Sequence, residues 1–465
     1  MEFGYHIREY REEILEYLAE LIAIPSVSDP NAKTPGRPYG EASARALESI
    51  LRKGDEMGFS IKNVGNYAGH VAYECGDRDE YAAVLSHVDV VPAGAGWETD
   101  PFALTERNGL LYGRGVLDDK GAAVVSLFCL KALKDHGILG KRSLRCIFGA
   151  GEEVGMSDLE HYFAEEPLPV FAFTPDGDYG ICNREKGILH FTLQGKNNSV
   201  VLQSLQGGQV VNAVPDLALA ILRCTKKEVE RLEEAAKVSG EQYTLQWNDG
   251  EGTAEFSVRG RAAHAREPAQ GHNAVLHLLD LLGQVFAPET LGVLPSFLRK
   301  AVGLETDGRS LDIHQADEPS GPLTMNVGIV RIDSRDAMAG LDIRYPVTGD
   351  GDAIIAKLKD RAEAEGLSYR TMEDLKPLYA KEDSPLVSVL SDAYRAATGE
   401  EALLYATGGG SYARCIPGRC VAFGPVFPGE PDRKMHQSGE HIDPELFFRH
   451  AEICLEAMYR MLLTP

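Results

Sequence analysis

Acidic and imidazole side chains stand in loops directly after predicted strands in the N-terminal part of the chain. Because ligands bind at the carboxyl ends of strands in open α/β sheets, these loops predict a shared site. One imidazole with several carboxylates is a ligand set suited to Zn²⁺, Mn²⁺ or Co²⁺. The set comprises His87, Asp89, Asp118, the adjacent pair Glu152 and Glu153, and Asp176.

The same residues provide the parts that a two-metal site needs. Two ions about 3.5–4 Å apart require a bridging carboxylate, terminal ligands for each ion and a base for the shared water. The neighbours Glu152 and Glu153 can supply one ligand and one base. Asp89, two residues after His87, can orient that imidazole through its second ring nitrogen. The set lacks a second imidazole, and His436 in the C-terminal segment MHQSGE offers one.

Each of these residues also has a purely structural interpretation. His87 and Asp89 could form a hydrogen-bonded surface pair, and Asp118-Asp119 could cap the helix that follows. Glu152-Glu153 could be the solvated start of a helix, and His436 is one of 13 histidines. The repetition of such groups after strand patterns in one part of the chain favours the site over a set of unrelated caps.

The loops belong to a stretch in which strand and helix patterns alternate. That alternation predicts an α/β domain with a central mixed sheet flanked by helices. We expect strands within Tyr81–Val91, Leu144–Phe148 and Pro169–Thr174, and a helix at Gly121–His136.

The middle of the chain has a different pattern, in which strands followed by helices suggest one or two α+β units. We expect one domain formed by residues 1–188 and 380–465 and an inserted domain with two α+β subunits at 189–379; the family resemblance described below implies that these are the catalytic domain and a lid. Helices are expected at Lys226–Ser239, Asn273–Phe286 and Asp352–Ala364. Strands are expected at Gly187–Leu193, Val200–Leu205, Tyr243–Trp247, Ala254–Val258 and Met325–Ile332.

Composition narrows the class of partner. The chain has 465 residues and a net charge of −23, which disfavours binding to nucleic acid or anionic membranes. Charged residues interrupt the N-terminus where a signal peptide would be apolar, and no apolar stretch is long enough to span a membrane. Eight scattered cysteines without a CxxC pair are typical of reduced thiols. We expect a cytoplasmic protein.

Five ordered motifs carry a family resemblance: SHVDVVP, GRGVLDDKG, GEEVG, TPDGD and KMHQSGE. They resemble the signatures of the co-catalytic di-zinc metallopeptidase superfamily, which includes carboxypeptidase G, acetylornithine deacetylase and carnosinase. The resemblance spans the chain from the helix ending LIAIPSVS to the His436 loop. It implies two divalent metal ions, Zn²⁺ first and Mn²⁺ or Co²⁺ as alternatives.

The resemblance implies a role for each residue of the set. Asp118 resembles the ligand that bridges both metals, and Glu152 resembles the general base. Asp89 resembles the aspartate that holds His87, and relatives carry a cis peptide where Asp118 meets Asp119. The terminal ligands pair as His87 with Asp176 on one ion and Glu153 with His436 on the other.

Three residues of the middle segment resemble substrate-binding positions of the same superfamily. His264 in RAAHA resembles the histidine that polarises the scissile carbonyl, and Asn212 in GGQVVNAVP resembles a substrate-contacting asparagine. Arg344 in DIRYP resembles the arginine that binds the terminal carboxylate of the substrate. The presence of all three in a long insertion resembles the PepV type of bacterial dipeptidase, and implies that one chain completes its own site as a monomer.

The expected function is therefore metal-dependent hydrolysis of unblocked dipeptides or very short peptides. An N-acyl amino acid deacylase or desuccinylase would use the same metals and the same arginine, and stays open as an alternative. A non-catalytic metal- or peptide-binding protein on this fold is a second alternative. Loss of the base or of a metal ligand would mark it, and neither loss is present in the sequence.

Overall fold

The computed structural model describes residues 1–464, which divide into two compact units. The first unit contains Met1–Arg184, Leu378–Ala406 and the residues from Gly410 onward. The second, which we call the inserted unit, contains Glu185–Pro377 and Thr407–Gly409.

The first unit is built on a mixed sheet of nine strands. Strands Asp77–His87, Arg142–Gly149, Phe171–Thr174 and Cys420–Ala422 run parallel to their neighbours in this group, so their carboxyl ends lie at the same edge. In order across the sheet, the strands are Ser60–Val64, Ala68–Tyr73, Arg142–Gly149, Asp77–His87, Phe171–Thr174, Cys420–Ala422, Ile181–Glu185 and Leu378–Tyr379, with Leu404–Thr407 also pairing to Ile181–Glu185.

These central strands consist mainly of buried residues, as strands covered on both faces must. Helix Lys120–Asp135 is apolar around most of its circumference and is buried accordingly. It packs against two other helices, Arg11–Ile22 and Pro444–Leu463. The remaining helices of the unit are Glu41–Glu56, Ser157–Glu165 and Pro385–Thr398. Short strands complete it: Thr105–Arg107, Leu110–Tyr112 and His441–Ile442 in one small sheet, and Gly177–Asp178 with Pro425–Val426 in another.

The inserted unit contains one continuous sheet of eight strands, in which every neighbouring pair is antiparallel. Alternation of buried and exposed residues, as in Thr253–Arg259, shows that one face of the sheet is covered. The order is Gln242–Asn248, Thr253–Arg259, Leu217–Arg223, Leu202–Gly207, Thr324–Ile332, Asp336–Tyr345, Gly187–Lys196 and Ser368–Leu375, and a separate hairpin pairs Ala316–Asp317 with Gly321–Pro322.

Local capping defines the helices of the inserted unit. Thr225 and Glu228 form a capping box at the start of Lys226–Ser239, and Gly240 ends that helix in the left-handed conformation. The side chain of Asn273 accepts from the first backbone N–H groups of Ala274–Val285. The other helices are Pro288–Leu291, Val293–Phe297, the π-helical turn Leu298–Val302 and Gly351–Ala364.

The predicted fold class is confirmed: a mixed α/β sheet flanked by helices carries an inserted α+β unit. The strands and helices predicted from periodicity are present, with ends that differ by a few residues. Within residues 1–464, none of the helices combines the length and the apolar character needed to cross a membrane.

Candidate metal centre

His87 and Asp118 meet at the carboxyl-end edge of the first unit's sheet. His87 is the last residue of strand Asp77–His87 and pairs in register with Gly149 of the parallel neighbour. Its Nε2 atom lies 2.9 Å from Oδ1 of Asp118. The peptide bond between Asp118 and Asp119 is cis, as the resemblance implied.

The second imidazole reaches the other side of the same carboxylate. Nε2 of His436 lies 2.8 Å from Oδ2 of Asp118 and 3.3 Å from Oε1 of Glu153. Each oxygen of Asp118 therefore faces a different histidine. This arrangement is the one that a carboxylate bridging two cations requires.

Asp176 and Glu153 complete two overlapping groups of metal-binding side chains. In each group, the three possible ligand atoms lie within 4.8 Å of one another. The first group is His87, Asp118 and Asp176, and the second is Asp118, Glu153 and His436. Asp118 belongs to both groups.

Asp89 organises this centre through several hydrogen bonds. Its carboxylate accepts from the backbone N–H groups of Glu152 and Glu153, both at 3.2 Å, and from the hydroxyl of Ser28 at 2.8 Å. Its main-chain carbonyl oxygen lies 3.0 Å from Nδ1 of His87, closer than its carboxylate at 3.4 Å. Asp89 thus holds both the imidazole and the turn that carries the two glutamates.

Burial is the main influence on the carboxyl groups of the centre. Burial and the Asp118 carboxylate raise the pKa of Asp176 to about 7. Burial, with the nearby charges of Asp176 and Glu153, holds the pKa of Glu152 well above its usual range. Burial acts in the same direction on Asp118, but hydrogen bonds from His436 and His87 outweigh it and hold that pKa below its usual range.

The charge of the centre fits divalent cations. Among residues 1–464, no Lys or Arg forms an ion pair with Asp118, Glu152, Glu153 or Asp176. Oε1 of Glu153 is buried, and the His436 Nε2 atom 3.3 Å away does not have the geometry of a hydrogen bond to it. Buried carboxylates without a positive partner are costly, and two cations held between two histidines would neutralise them.

Helix capping by Asp118-Asp119 and a solvated helix start at Glu152-Glu153, the purely structural roles considered above, do not account for this centre. Asp119 occupies the N-cap position of helix Lys120–Asp135, but its side chain makes no capping hydrogen bond. Its Oδ2 atom instead accepts from the backbone N–H of His87 at 3.1 Å. Glu152 and Glu153 do begin a short 3₁₀-helix, yet they also stand beside the ligand groups.

Sequence reasoning gave no role to Glu440, which fixes the loop carrying Asp118. Glu440 is fully buried and accepts from the backbone N–H of Leu117 at 2.9 Å and of Asp118 at 3.3 Å. Its other oxygen lies 2.5 Å from Nη1 of Arg114, which is also buried. The one available signal was its position in the MHQSGE motif, four residues after His436.

The inserted unit holds the three predicted substrate-binding residues. His264 forms an isolated β-bridge with Ala213, next to Asn212, and both His264 and Asn212 are exposed. Although His264 is exposed as a residue, partial burial of its ring and the positive charge of Arg344 lower its pKa.

Arg344 is buried and largely engaged. Its Nε and Nη2 atoms donate to the two carboxylate oxygens of Asp342 at 2.8 and 2.6 Å. Its Nη1 atom donates to the carbonyl oxygen of Gly408 at 2.8 Å. Gly408 belongs to the short segment Thr407–Gly409, which groups with the inserted unit.

Comparison with known proteins agrees with this geometry. Residues 83–462 match the family model described as Peptidase family M20/M25/M40. The chain is 35% identical over 465 residues to the "Putative dipeptidase YtjP" of Bacillus subtilis (strain 168), covering 97% of each protein.

Solved structures support the same fold. Human carnosine dipeptidase 1 superposes with a TM-score of 0.60 at 14% identity, over 99% of this chain and 98% of that one. The M20 family metallo-carboxypeptidase Sso-CP2 from Sulfolobus solfataricus also gives 0.60, at 17% identity, over 97% and 99%. At these identities the likeness concerns the fold.

The chain belongs to peptidase family M20/M25/M40. It is therefore an enzyme of the peptidase class, and the candidate metal centre lies within the part of the sequence that defines this membership.

Proposed function

We propose that this enzyme is a dipeptidase that hydrolyses the peptide bond of unblocked dipeptides or very short peptides with the help of two divalent cations. The main observation that supports the proposal is that Asp118 belongs to both groups of possible metal ligands, with Glu152 beside them. The name of the Bacillus subtilis relative supports the substrate class.

Five residues would hold the cations, with Zn²⁺ as the first expectation and Mn²⁺ or Co²⁺ as alternatives. Asp118 would contact both ions. When bound, two such cations polarise a carbonyl group and lower the pKa of water between them. The terminal ligands would be His87 and Asp176 for one ion, and Glu153 and His436 for the other.

Glu152 would act as the general base. Its backbone is held by Asp89, and its carboxyl group lies close enough to Asp176 and Glu153 to feel their charges. Burial keeps this carboxyl group in a region of low polarity, which strengthens it as a base toward a nearby water. Glu152 takes one proton from the attacking water and returns it to the leaving amine of the substrate.

The inserted unit would serve as a lid that contributes Asn212, His264 and Arg344 to substrate binding. Arg344 would recognise the terminal carboxylate, because a guanidinium pairs with a carboxylate through two parallel hydrogen bonds. Asp342 occupies Nε and one N–H group of Nη2, so the substrate carboxylate would pair with the remaining N–H groups at the Nη1–Nη2 end, where Nη1 now donates to the Gly408 carbonyl. The long insertion that carries all three residues resembles the PepV type, and we therefore expect a monomeric enzyme.

The proposal is tested by hydrolysis of a dipeptide panel by metal-stripped protein, before and after addition of Zn²⁺, Mn²⁺ or Co²⁺. We expect activity that returns with metal and that falls by about 10²- to 10⁴-fold in Glu152→Gln. Glu160→Gln, an exposed glutamate on helix Ser157–Glu165, is the matched control and should retain activity. Hydrolysis of N-acyl amino acids but of no dipeptide would overturn the substrate class, and full activity in Glu152→Gln would overturn the mechanism.

A further inference from the structure

A second cluster of metal-binding side chains lies in the inserted unit and shares no residue with the candidate metal centre. Nε2 of His272 lies 2.7 Å from one carboxylate oxygen of Glu241, and Nδ1 of His277 lies 2.8 Å from the other. The two imidazole rings stack with their centroids 3.7 Å apart. The three ligand atoms all lie within 4.8 Å of one another.

We propose that Glu241, His272 and His277 form a binding site for one transition-metal ion of the Zn²⁺ class. Two imidazoles and one carboxylate are a ligand set that Zn²⁺ accepts, with further positions left for water. Zn²⁺ bonds of about 2.0–2.2 Å in tetrahedral geometry place neighbouring ligand atoms about 3.3–3.5 Å apart. The two imidazole–carboxylate separations of 2.7 and 2.8 Å would need to widen by about 0.5–0.8 Å, which rotation of the side chains can supply.

The backbone fixes the three ligands independently. Glu241 stands between helix Lys226–Ser239 and strand Gln242–Asn248. His272 is held by two backbone hydrogen bonds with Arg261, at 2.8 and 3.0 Å. His277 lies on the first turns of helix Ala274–Val285. Because their convergence does not depend on one flexible loop, the site is preorganised for an ion.

The charge balance of the cluster also favours a cation. The Glu241 side chain is only 9% exposed, and within residues 1–464 its ion pairs are with these two histidines alone. A bound cation would compensate the buried carboxylate directly.

An ion can reach the cluster from solvent. The side chains of His272 and His277 are 37% and 23% exposed. A cavity of about 210 Å³ also borders both rings. By comparison, the same three residue types meet at His6, Glu9 and His136, but there Glu9 is half exposed and its charge is already solvated. When bound, the ion would join the start of helix Ala274–Val285 to the segment after helix Lys226–Ser239.

The test counts Zn²⁺ per chain in the full-length protein after equilibrium dialysis of metal-stripped samples. We expect the double variant His272→Gln/His277→Gln to bind one equivalent fewer than the wild type. His314→Gln is the matched control, because the hydrogen bond and ion pair that this histidine of the same unit makes are with Asp307, and its loss should leave the count unchanged. Equal counts in wild type and double variant would overturn the proposal.

A footprinting measurement on the wild type covers the case in which the double variant does not fold. Diethyl pyrocarbonate modifies accessible histidines, and we expect Zn²⁺ to protect both His272 and His277 while leaving His314 reactive. Unchanged modification of His272 and His277 at saturating Zn²⁺ would overturn the site. Both readouts are independent of peptidase activity.

Discussion

The carboxylate of Asp89 accepts a hydrogen bond from the backbone N–H of Glu152 at 3.2 Å. Asp89, which follows His87 by two residues in the chain, therefore also anchors the backbone of the proposed general base, 63 positions later. Strand pairing brings Asp89 close to Glu152, because His87 is in register with Gly149, three residues before Glu152. Asp89 thus contacts both His87, a proposed metal ligand, through its main-chain carbonyl and the backbone of the proposed base through its carboxylate.

We predict that Asp89→Ala lowers metal affinity or activity by about 10- to 100-fold, as is usual for residues that orient metal ligands. The variant keeps the main-chain carbonyl that faces His87 but loses the anchor of Glu152 and Glu153. Zn²⁺ titration and steady-state kinetics measure the change. Ser28→Ala removes one hydrogen bond to the same carboxylate and should have a smaller effect. Equal losses in both variants would contradict the anchoring role.

We predict that Glu440→Ala lowers the free energy of unfolding by about 3–5 kcal/mol, because it leaves the Arg114 guanidinium buried without its partner. It also releases the loop that carries Asp118, so Zn²⁺ affinity should fall with stability. Denaturant unfolding of metal-free protein measures the first effect. Glu233→Ala breaks an exposed pair with Lys237 and should cost about 0–1 kcal/mol. A loss that small in Glu440→Ala would refute the prediction.

The inserted unit should lose stability as pH rises toward about 9. Burial lowers the pKa of His190, but hydrogen bonds to Asp342 and Glu373 outweigh it and raise that pKa to about 9. Protonated His190 therefore contributes its full stabilisation below about pH 6.5, the unfolded value, and the contribution disappears as pH rises through the folded pKa.

Thermal unfolding of the wild type and of His190→Gln between pH 6 and 10 tests this. The difference in melting temperature between the two proteins should be largest near pH 6 and should shrink toward pH 10. A difference that stays constant across this range would show that the ion pairs of His190 do not titrate as described.

We predict that Arg344→Lys lowers kcat/KM for dipeptides by about 10- to 100-fold, through loss of about 1.5–3 kcal/mol of charged hydrogen bonding. A dipeptide amide, which lacks the terminal carboxylate, separates substrate binding from the structural pair with Asp342. The wild type should strongly prefer the free acid, and Arg344→Lys should lose most of that preference. A variant that retains the preference would assign Arg344 to structure alone.

Local sequence patterns predicted helices and strands well where short-range features, such as helix caps and hydrophobic periodicity, determine them. The helix Lys226–Ser239 was predicted with the observed bounds, because Thr225 caps its start and Gly240 ends it. The buried strand at Leu144–Phe148 was also recognised, and the structure extends it to Arg142–Gly149. Short-range periodicity and caps carry this information in the sequence itself.

What could not be predicted depends on contacts between distant parts of the chain. Glu440 meets the Leu117 backbone across 323 positions, and no local pattern marks that contact. The pairing of Arg344 with Asp342 was different. Residues two apart on a strand share a face, so the motif DIRYP contains a local signal for this pair.

The measurement that tests the central claim most directly compares kcat/KM for a free dipeptide and for its N-acetylated counterpart, with Zn²⁺-loaded wild-type enzyme. The proposed dipeptidase should prefer the free dipeptide by at least about tenfold, a difference of about 1.4 kcal/mol in transition-state binding. A preference for the N-acetylated compound would contradict the proposed function and identify an N-acyl amino acid deacylase built on the same metal centre.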